Sequence, residues 1–408
     1  MGPNSPHSTR LVIVMVGLPA RGKTYIARKL ARFLSWLGYR TRVFNIGDYR
    51  RARLGNKHRA DFFDPENADG NRARSEMAEA ALGDLLTWME VDGEVAIYDA
   101  TNTTQRRRAT VRERCVQNGL QVVFIESACQ DPAIIEANIR ETKLTSPDYE
   151  GMDPDEAVAD FRKRIAHYAS VYEPLADADA EGASYIKLID VGRVVEVHRL
   201  DGYLPAKLLF YLLNLHVVRR PIYLTRHGES TLNEEGRIGG DAPLSPNGQK
   251  YAQALAQFVA GLPIQPEVFT STLQRTIQTA APLAVPSNPW RALDEIDAGI
   301  CDGMTYAEIA EQIPNEYEAR QRDKLRYRYP RGESYQDVIA RLEPVIIELE
   351  RQRRPLMVIA HQAVLRALYA YFMDKAPEDI LRMEIPLHTV IQLAPGPYAF
   401  VETRHRLV

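Results

Sequence analysis

The chain has 408 residues, too many for one ordinary core, so two or three domains are expected. An apolar share of 45% and a charged share of 26% suit a globular protein with sizeable cores, and a net charge of −3 argues against a general nucleic-acid or membrane-surface binder. Three scattered cysteines (Cys115, Cys129, Cys301) make no disulfide framework. The longest apolar run, Leu208 to Val218, falls well short of the roughly 20 residues that span a bilayer. With no signal-like start, the chain reads as cytoplasmic.

Met1 to Arg10 reads as a flexible tail. Leu11 to Val16 is an unbroken apolar run ending at Gly17, the pattern of a buried strand. A helix follows, with Ile26, Leu30, Phe33, Leu34 and Leu37 on one face and Gly38 as its stop. Further strands are expected at Arg42 to Ile46, Val95 to Tyr98, Gln121 to Glu126 and Tyr185 to Ile189, with helices between them. Such alternation implies a parallel sheet covered on both faces. Ala176 to Ser184, small and acidic, reads as a loop. A second unit is expected to begin near Arg219-Arg220-Pro221, dividing the chain into 11–218 and 219–408. There Ile222 to Thr225 is a strand, Ser245-Pro246 a helix start, and Leu356 to Ala360 a strand followed by a helix over Val364 to Phe372. This half is again α/β.

Gly17-Leu18-Pro19-Ala20-Arg21-Gly22-Lys23-Thr24 matches G-x-x-x-x-G-K-[ST] in full, between an apolar strand and an amphipathic helix. Glycines let backbone N–H groups curl around phosphate oxygens, Lys23 reaches the β and γ phosphates, and the Thr24 hydroxyl suits Mg²⁺. Asp99 ends a strand run, where α/β sites form, and suits either a metal or an acceptor hydroxyl proton. Arginines crowd this half, among them Arg50, Arg74 and Arg107, as recognition of a small anion requires.

In the second half Arg226-His227-Gly228 follows a strand. A neutral His227 is a nucleophile for phosphoryl groups, and Arg226 disfavours the imidazolium while gripping the phosphate. His361 stands at an equivalent strand end, and Arg275 at a helix start within Ser271 to Thr276. Glu295 is the candidate acid for the leaving oxygen; a phosphate dianion beside it would raise its pKa, at about 1.4 kcal/mol per unit. No metal-ligand spacing accompanies these residues, so this half is expected to work without a metal.

With these residues placed, the chain resembles the bifunctional 6-phosphofructo-2-kinase/fructose-2,6-bisphosphatase family from about residue 10 to 405. The likeness rests on the strings GLPARGKTYIARKL, DATNTTQRRR, SPDYEGMD, SYIKLIDVG, RHGESTLN, GRIGGD, RTIQTA, EIDAG, YRYPRGESY and AHQAVLRAL. It implies a nucleoside-monophosphate-kinase-like P-loop domain followed by a histidine-phosphatase (phosphoglycerate-mutase-like) domain. It implies that Gly17 to Tyr25 bind ATP, with Asn138 helping and Lys143 on the transferring phosphoryl, and that Asp99 and Cys129 belong to the active site. Read from the residue alone, Cys129 fits a buried structural thiol as well. Fructose 6-phosphate falls by likeness to Arg50, Arg74, Thr101, Arg107, Arg164 and Tyr168. In the second half the likeness makes His227 the phosphohistidine, Glu295 the proton donor, and Arg226, Asn233 and His361 transition-state stabilisers. It gives the sugar and its 6-phosphate to Gly239, Tyr306, Arg320, Lys324, Tyr335, Gln362 and Arg366. A homodimer is expected by likeness alone.

The chain departs from the family pattern at Asp48, where Gln is usual, and at Thr225 and Ala360, where Cys is usual. The extra charge of Asp48 beside Arg50 is expected to weaken sugar-phosphate affinity. Three rival functions stay open: the same fold with one dominant activity, a kinase–phosphatase for nucleic-acid ends, and a sensor that binds sugar phosphate without turnover.

Overall fold

Six consecutive residues with no solvent contact, Leu11–Val16, form β1 and explain why the first domain closes around this strand. Burying each large apolar side chain there stabilises by roughly 1.5–3 kcal/mol. The computed structural model describes residues 10–56, 58–143, 146–176, 183–216, 219–396 and 399–408. The expected tail, apart from Arg10, and most of the expected loop after Ala176 lie outside the described residues. The chain divides into two units, Met1–Leu213 and Asn214–Val408, a break slightly ahead of the Arg219 junction expected from sequence.

In the first unit the chain runs β1, α1 (Lys23–Trp36), β2 (Thr41–Asn45), α2 (Ile46–Leu54), α3 (Ala68–Val91), β3 (Val95–Asp99), α4 (Gln105–Gln117) and β4 (Gln121–Ala128). It continues through α5 (Pro132–Asn138), a π-helical turn over Ile139–Lys143, α6 (Pro154–Ala169), β5 (Ser184–Ile189), β6 (Val194–His198) and α7 (Tyr203–Asn214). The sheet order is β2-β3-β1-β4-β5-β6. Strand order reverses at β1, which pairs in parallel with β3 on one side and β4 on the other. Ligands of open α/β sheets bind outside the carboxyl ends at such a reversal. The expected parallel sheet is present from β2 to β5 and carries one further strand at its edge: β6 is antiparallel to β5. Only Asp190 to Arg193 connect them, with Asp190, Val191 and Gly192 all at positive φ, and so short a turn can only reverse the chain.

In the second unit β7 (Ile222–Arg226), α8 (Thr231–Glu234), α9 (Pro246–Ala260), β8 (Glu267–Thr270), α10 (Gln274–Ala280) and β9 (Ser287–Pro289) come first. Then follow α11 (Tyr306–Gln312), α12 (Pro314–Arg322), α13 (Tyr335–Arg351), β10 (Leu356–Ala360), α14 (Gln362–Phe372), β11 (Thr389–Pro395) and β12 (Phe400–Arg406). The order is β12-β11-β7-β10-β8-β9, parallel from β7 to β9, with β11 antiparallel to both its neighbours. Ser245 caps α9 by accepting the Gly248 N–H at 3.1 Å with Pro246 in the first turn, as its sequence predicts. One register does most to build the site: Ala360 lies opposite Arg226, so His361 and His227 leave adjacent strand ends together. Ile359 lies opposite Thr270 on the other side, which brings Ser271 to the same edge.

Candidate active sites

The phosphate loop leaves β1 at Gly17, whose φ is +133° and whose missing Cβ would sit 2.5 Å from the Ser127 carbonyl oxygen. Ala20 and Gly22 also take positive φ, and Gly22 caps α1 without any side-chain hydrogen bond, leaving that helix terminus to its backbone N–H groups. The turn is fastened from several directions. Gly17 N–H donates to the Thr101 carbonyl (2.9 Å), Ser127 Oγ to the Arg21 carbonyl (2.5 Å), and Asn138 Nδ2 to the Ala20 carbonyl (3.1 Å). Arg21 Nε donates to the Cys129 carbonyl at 2.7 Å. What ties Cys129 to the loop is therefore its backbone; its buried thiol is pushed up in pKa chiefly by burial. Lys23, 8% exposed, folds back onto the Leu18 carbonyl at 2.6 Å. Tyr25 stands partly exposed on α1, within 5.6 Å of the Lys29 ammonium. Lys143 ends the π-helical turn, and its side chain lies outside the described residues.

Asp99 is buried at the end of β3, where the register with β2 sets Asn45 beside it; Asn45 Nδ2 donates to Asp99 Oδ2 at 2.5 Å. Among the described residues no group of three or more His, Cys, Asp or Glu side chains could cage a metal. One carboxylate with the Thr24 hydroxyl is a sparse oxygen set. It fits Mg²⁺, which keeps waters and shares phosphate oxygens with its nucleotide.

Around Phe63 the structure gathers cations from three helices. The guanidinium carbons of Arg164, Arg50 and Arg74 lie 3.7, 5.6 and 5.8 Å from its ring centroid, with the Tyr168 ring 5.9 Å away. Burial, together with Arg107 and Arg164, lowers the pKa of Arg74. Asp148, 4% exposed, answers two of them and a neighbour: it lies 2.5 Å from Arg50 Nη2, 3.5 Å from Arg164 and 3.8 Å from Arg51. Burial opposes its charge, but the Arg50 hydrogen bond and these cations outweigh it and hold Asp148 below its ordinary value. Arg50 Nη1, Arg107 Nε and Arg164 Nε are buried without hydrogen-bond partners among the described residues. Guanidiniums with donors to spare suit a dianion. Sequence reasoning missed Phe63 and Asp148, although Asp148 lies inside the string SPDYEGMD. Asp48 is turned outward onto Arg51 at 2.5 Å, with 69% of its side chain exposed, so the carboxylate that Arg50 meets is Asp148.

In the second unit His227 is 3% exposed. Its Nδ1 lies 2.6 Å from the Gly228 carbonyl, and because a carbonyl only accepts, Nδ1 carries the proton. Nε2 is left with its lone pair, which accepts from Arg275 Nε at 3.2 Å. Burial first, then Arg275 and Arg226, hold this imidazole well below its ordinary pKa. The Arg226 effect expected from sequence is present but ranks behind both. Arg226 Nε is itself buried without a hydrogen-bond partner among the described residues. The His361 ring centroid lies 5.0 Å from that of His227, and Glu295 Oε1 accepts the N–H groups of Ile296 (2.9 Å) and Ala363 (3.2 Å). Asn233 closes a capping box on α8, its Oδ1 accepting from Ser230 N–H at 3.0 Å. Sequence reasoning missed the backbone support: Thr279 Oγ1 accepts the Gly228 N–H at 2.9 Å and so steadies the carbonyl that sets the His227 tautomer.

Hydrogen bonds join several of the expected sugar-end residues in two sets. Arg320 donates to Tyr306 OH (2.8 Å) and to Tyr329 OH (2.7 Å), the latter a residue not singled out from sequence. Arg366 Nη1 donates to Tyr335 OH at 3.3 Å. Burial, then Arg320 and Arg366, push the Lys324 ammonium down to about 8. Gln362 opens α14 directly after His361. Gly239 takes φ +71°, and a Cβ there would lie 1.6 Å from Asp302 Oδ1; its neighbour Gly240 offers the carbonyl that holds Arg275 Nη1 at 2.6 Å.

Known proteins agree with both halves. The 6-phosphofructo-2-kinase family model matches residues 2–219, and that of the histidine phosphatase superfamily (branch 1) matches residues 222–406. A Gallus gallus 6-phosphofructo-2-kinase/fructose-2,6-bisphosphatase is 51% identical over 95% of this chain and 83% of its own length. An Arabidopsis thaliana protein of the same name is 52% identical over 98% of this chain and 54% of its own. Among solved structures, the alpha-ribazole phosphatase of Shigella flexneri aligns with 46% of this chain and 98% of its own, at 22% identity and a TM-score of 0.43. The chain belongs to the 6-phosphofructo-2-kinase/fructose-2,6-bisphosphatase family.

Proposed function

We infer that the chain is a bifunctional enzyme. Its first half phosphorylates the C2 hydroxyl of fructose 6-phosphate with ATP, and its second half hydrolyses the 2-phosphate of the resulting fructose 2,6-bisphosphate. We assign the two activities to residues 11–218 and 219–408.

In the kinase reading the loop from Gly17 to Thr24 cradles the ATP phosphates, and Lys23 exchanges the Leu18 carbonyl for a phosphate oxygen. Thr24 and Asp99 would hold Mg²⁺, which would supply charge neutralisation for the phosphates of the nucleotide. Arg50, Arg74, Arg107 and Arg164, with Thr101 and Tyr168, hold the sugar phosphate so that its C2 hydroxyl meets the γ-phosphoryl group in line. In the phosphatase reading His227 Nε2 attacks the 2-phosphoryl group and the phosphorus–oxygen bond to C2 breaks. Glu295 gives a proton to that leaving oxygen and later takes one from the water that cleaves the phosphohistidine. Arg226, Arg275, Asn233 and His361 surround the phosphoryl oxygens. No metal enters this half of the reading. Tyr306, Arg320, Lys324, Tyr335, Gln362 and Arg366 hold the sugar and its 6-phosphate.

The observation that carries the phosphatase reading is the His227 tautomer: a neutral ring, protonated on Nδ1, with a bare Nε2 among guanidiniums. Three buried free cysteines suit a reducing, cytoplasmic compartment. A homodimer belongs to the same reading and would appear in light scattering. Incubation with ATP and fructose 6-phosphate, followed by phosphorus NMR, tests the pair of activities. Lys23→Ala should abolish synthesis and spare hydrolysis. His227→Ala should spare synthesis and slow hydrolysis by ~10³-fold or more. Hydrolysis by His227→Ala at the wild-type rate would show that the nucleophile is another residue.

A further inference from the structure

Ser271 has no part in the reading above, yet it is completely buried against His361, whose ring is also completely buried. Ser271 Oγ lies 2.8 Å from His361 Nε2 and 2.8 Å from Thr276 Oγ1, and it accepts the Leu273 N–H at 3.2 Å. The directions of these bonds follow from counting protons. The Thr276 hydroxyl faces the carbonyls of Leu273 at 2.8 Å and Ser271 at 3.1 Å. These two contacts favour the one Thr276 proton on the carbonyls, and its oxygen is then left to accept from Ser271. With the Ser271 proton on Thr276, Ser271 Oγ can only accept from His361. The chain therefore runs from His361 Nε2–H to Ser271 O–H, to Thr276 O–H, to the Leu273 carbonyl. The opposite choice, Ser271 donating to His361, takes the one Thr276 proton away from both carbonyls and puts it on Ser271 Oγ. His361 Nδ1 has no hydrogen-bond partner among the described residues and is buried.

We propose that Ser271 is a positioning residue for hydrolysis, which holds His361 as its Nε2–H tautomer and keeps Nδ1 as an uncommitted acceptor beside His227. The proposal rests on the reading of His361 as a member of the hydrolytic site. When the phosphoryl group docks, its oxygens meet a bare nitrogen until Nδ1 takes a proton from solvent. His361 then donates from both nitrogens, to the phosphoryl group and to Ser271, as an imidazolium. Without Ser271 the ring proton has no acceptor at Nε2 and moves to Nδ1. A neutral N–H then faces the phosphoryl group where a charged one is needed. This is the same dependence of a histidine on an orienting third group that governs catalytic triads.

Nitrogen-15 NMR of histidine-labelled full-length protein reads the tautomer directly, with the His361 signal assigned by its loss in His361→Gln. The wild type should show His361 protonated on Nε2. Ser271→Ala should shift the proton toward Nδ1 and lower kcat for fructose 2,6-bisphosphate hydrolysis by about tenfold or more, with KM little changed. Ser271→Thr, which keeps the hydroxyl, should restore both, and synthesis from ATP should be unaffected by either change. A wild-type His361 protonated on Nδ1 overturns the proposal even if Ser271→Ala does not fold. So does a Ser271→Ala enzyme with unchanged tautomer and unchanged kcat. If the wild type hydrolysed no fructose 2,6-bisphosphate, the functional reading would fail while the spectrum still decided the role of Ser271.

Discussion

The two nitrogens of His227 are distinguished by one backbone carbonyl, and that distinction decides what the ring can do. The Gly228 carbonyl takes the Nδ1 proton, so in the proposed hydrolysis attack would fall to Nε2, where Arg275 now donates and would turn toward the incoming phosphate. No sequence pattern reveals this, because the partner is a carbonyl present at every residue. Lys324 carries a consequence that can be measured. With its pKa pushed down to about 8, it is charged at neutral pH and loses its proton as pH rises past that value. KM for fructose 2,6-bisphosphate should therefore rise between pH 7.5 and 9, whereas Lys324→Arg should flatten the rise because arginine stays charged. A wild-type KM constant to pH 9 would remove Lys324 from the phosphate site.

The turn from β1 to α1 and the pairing of β10 with β7 each convert a local pattern into a site. The turn was legible in the sequence because its geometry demands glycine: Gly17 combines positive φ with a backbone oxygen where a Cβ would go. Gly17→Ala should displace the Ser127 strand end, weaken ATP binding at least tenfold and destabilise the first unit by about 1–3 kcal/mol. ATP titration calorimetry and urea unfolding check this, and an unperturbed affinity would refute the close approach. The β10–β7 register was legible only in part. Two strand ends each followed by histidine suggested a shared edge, but the contact needed Ala360 opposite Arg226, and a shift by one residue would have turned the side chains to opposite faces. The short strand β6 was missed because its five residues alternate weakly and stand largely exposed at a sheet edge.

Each unit encloses its own hydrophobic clusters, among them one around Val12, Phe44, Leu85 and Tyr98 in the first and one around Tyr223, Tyr251, Leu255 and Met357 in the second. Their responses to acid should differ. His227 and His361 are held well below the ordinary histidine value by burial and then by Arg275, so below about pH 6.5 the unfolded chain binds protons that the folded chain refuses. Stability of the second unit should then fall with pH from about 6.5 downward, by up to about 1.4 kcal/mol per unit for each histidine. Asp148 in the first unit is held below its ordinary value, so its contribution is present above that value and lost only in stronger acid. Thermal unfolding between pH 7.5 and 5.5 should show the second unit losing Tm, and less so in His361→Gln. A pH-independent Tm in that window would contradict the neutral burial of these rings.

The sequence by itself determined the α/β class of both halves and marked the glycine turn after β1 and the principal charged residues as candidates, because these depend on short-range patterns: apolar runs, glycine geometry and motif spacing. Only the tertiary structure decided which nitrogen of His227 is bare, which carboxylate answers the arginines around Phe63, and what supports His361. Those partners are backbone carbonyls, hydroxyls and a distant aspartate, groups common along any chain. Strand register and burial alone give them a neighbour, and with it a role.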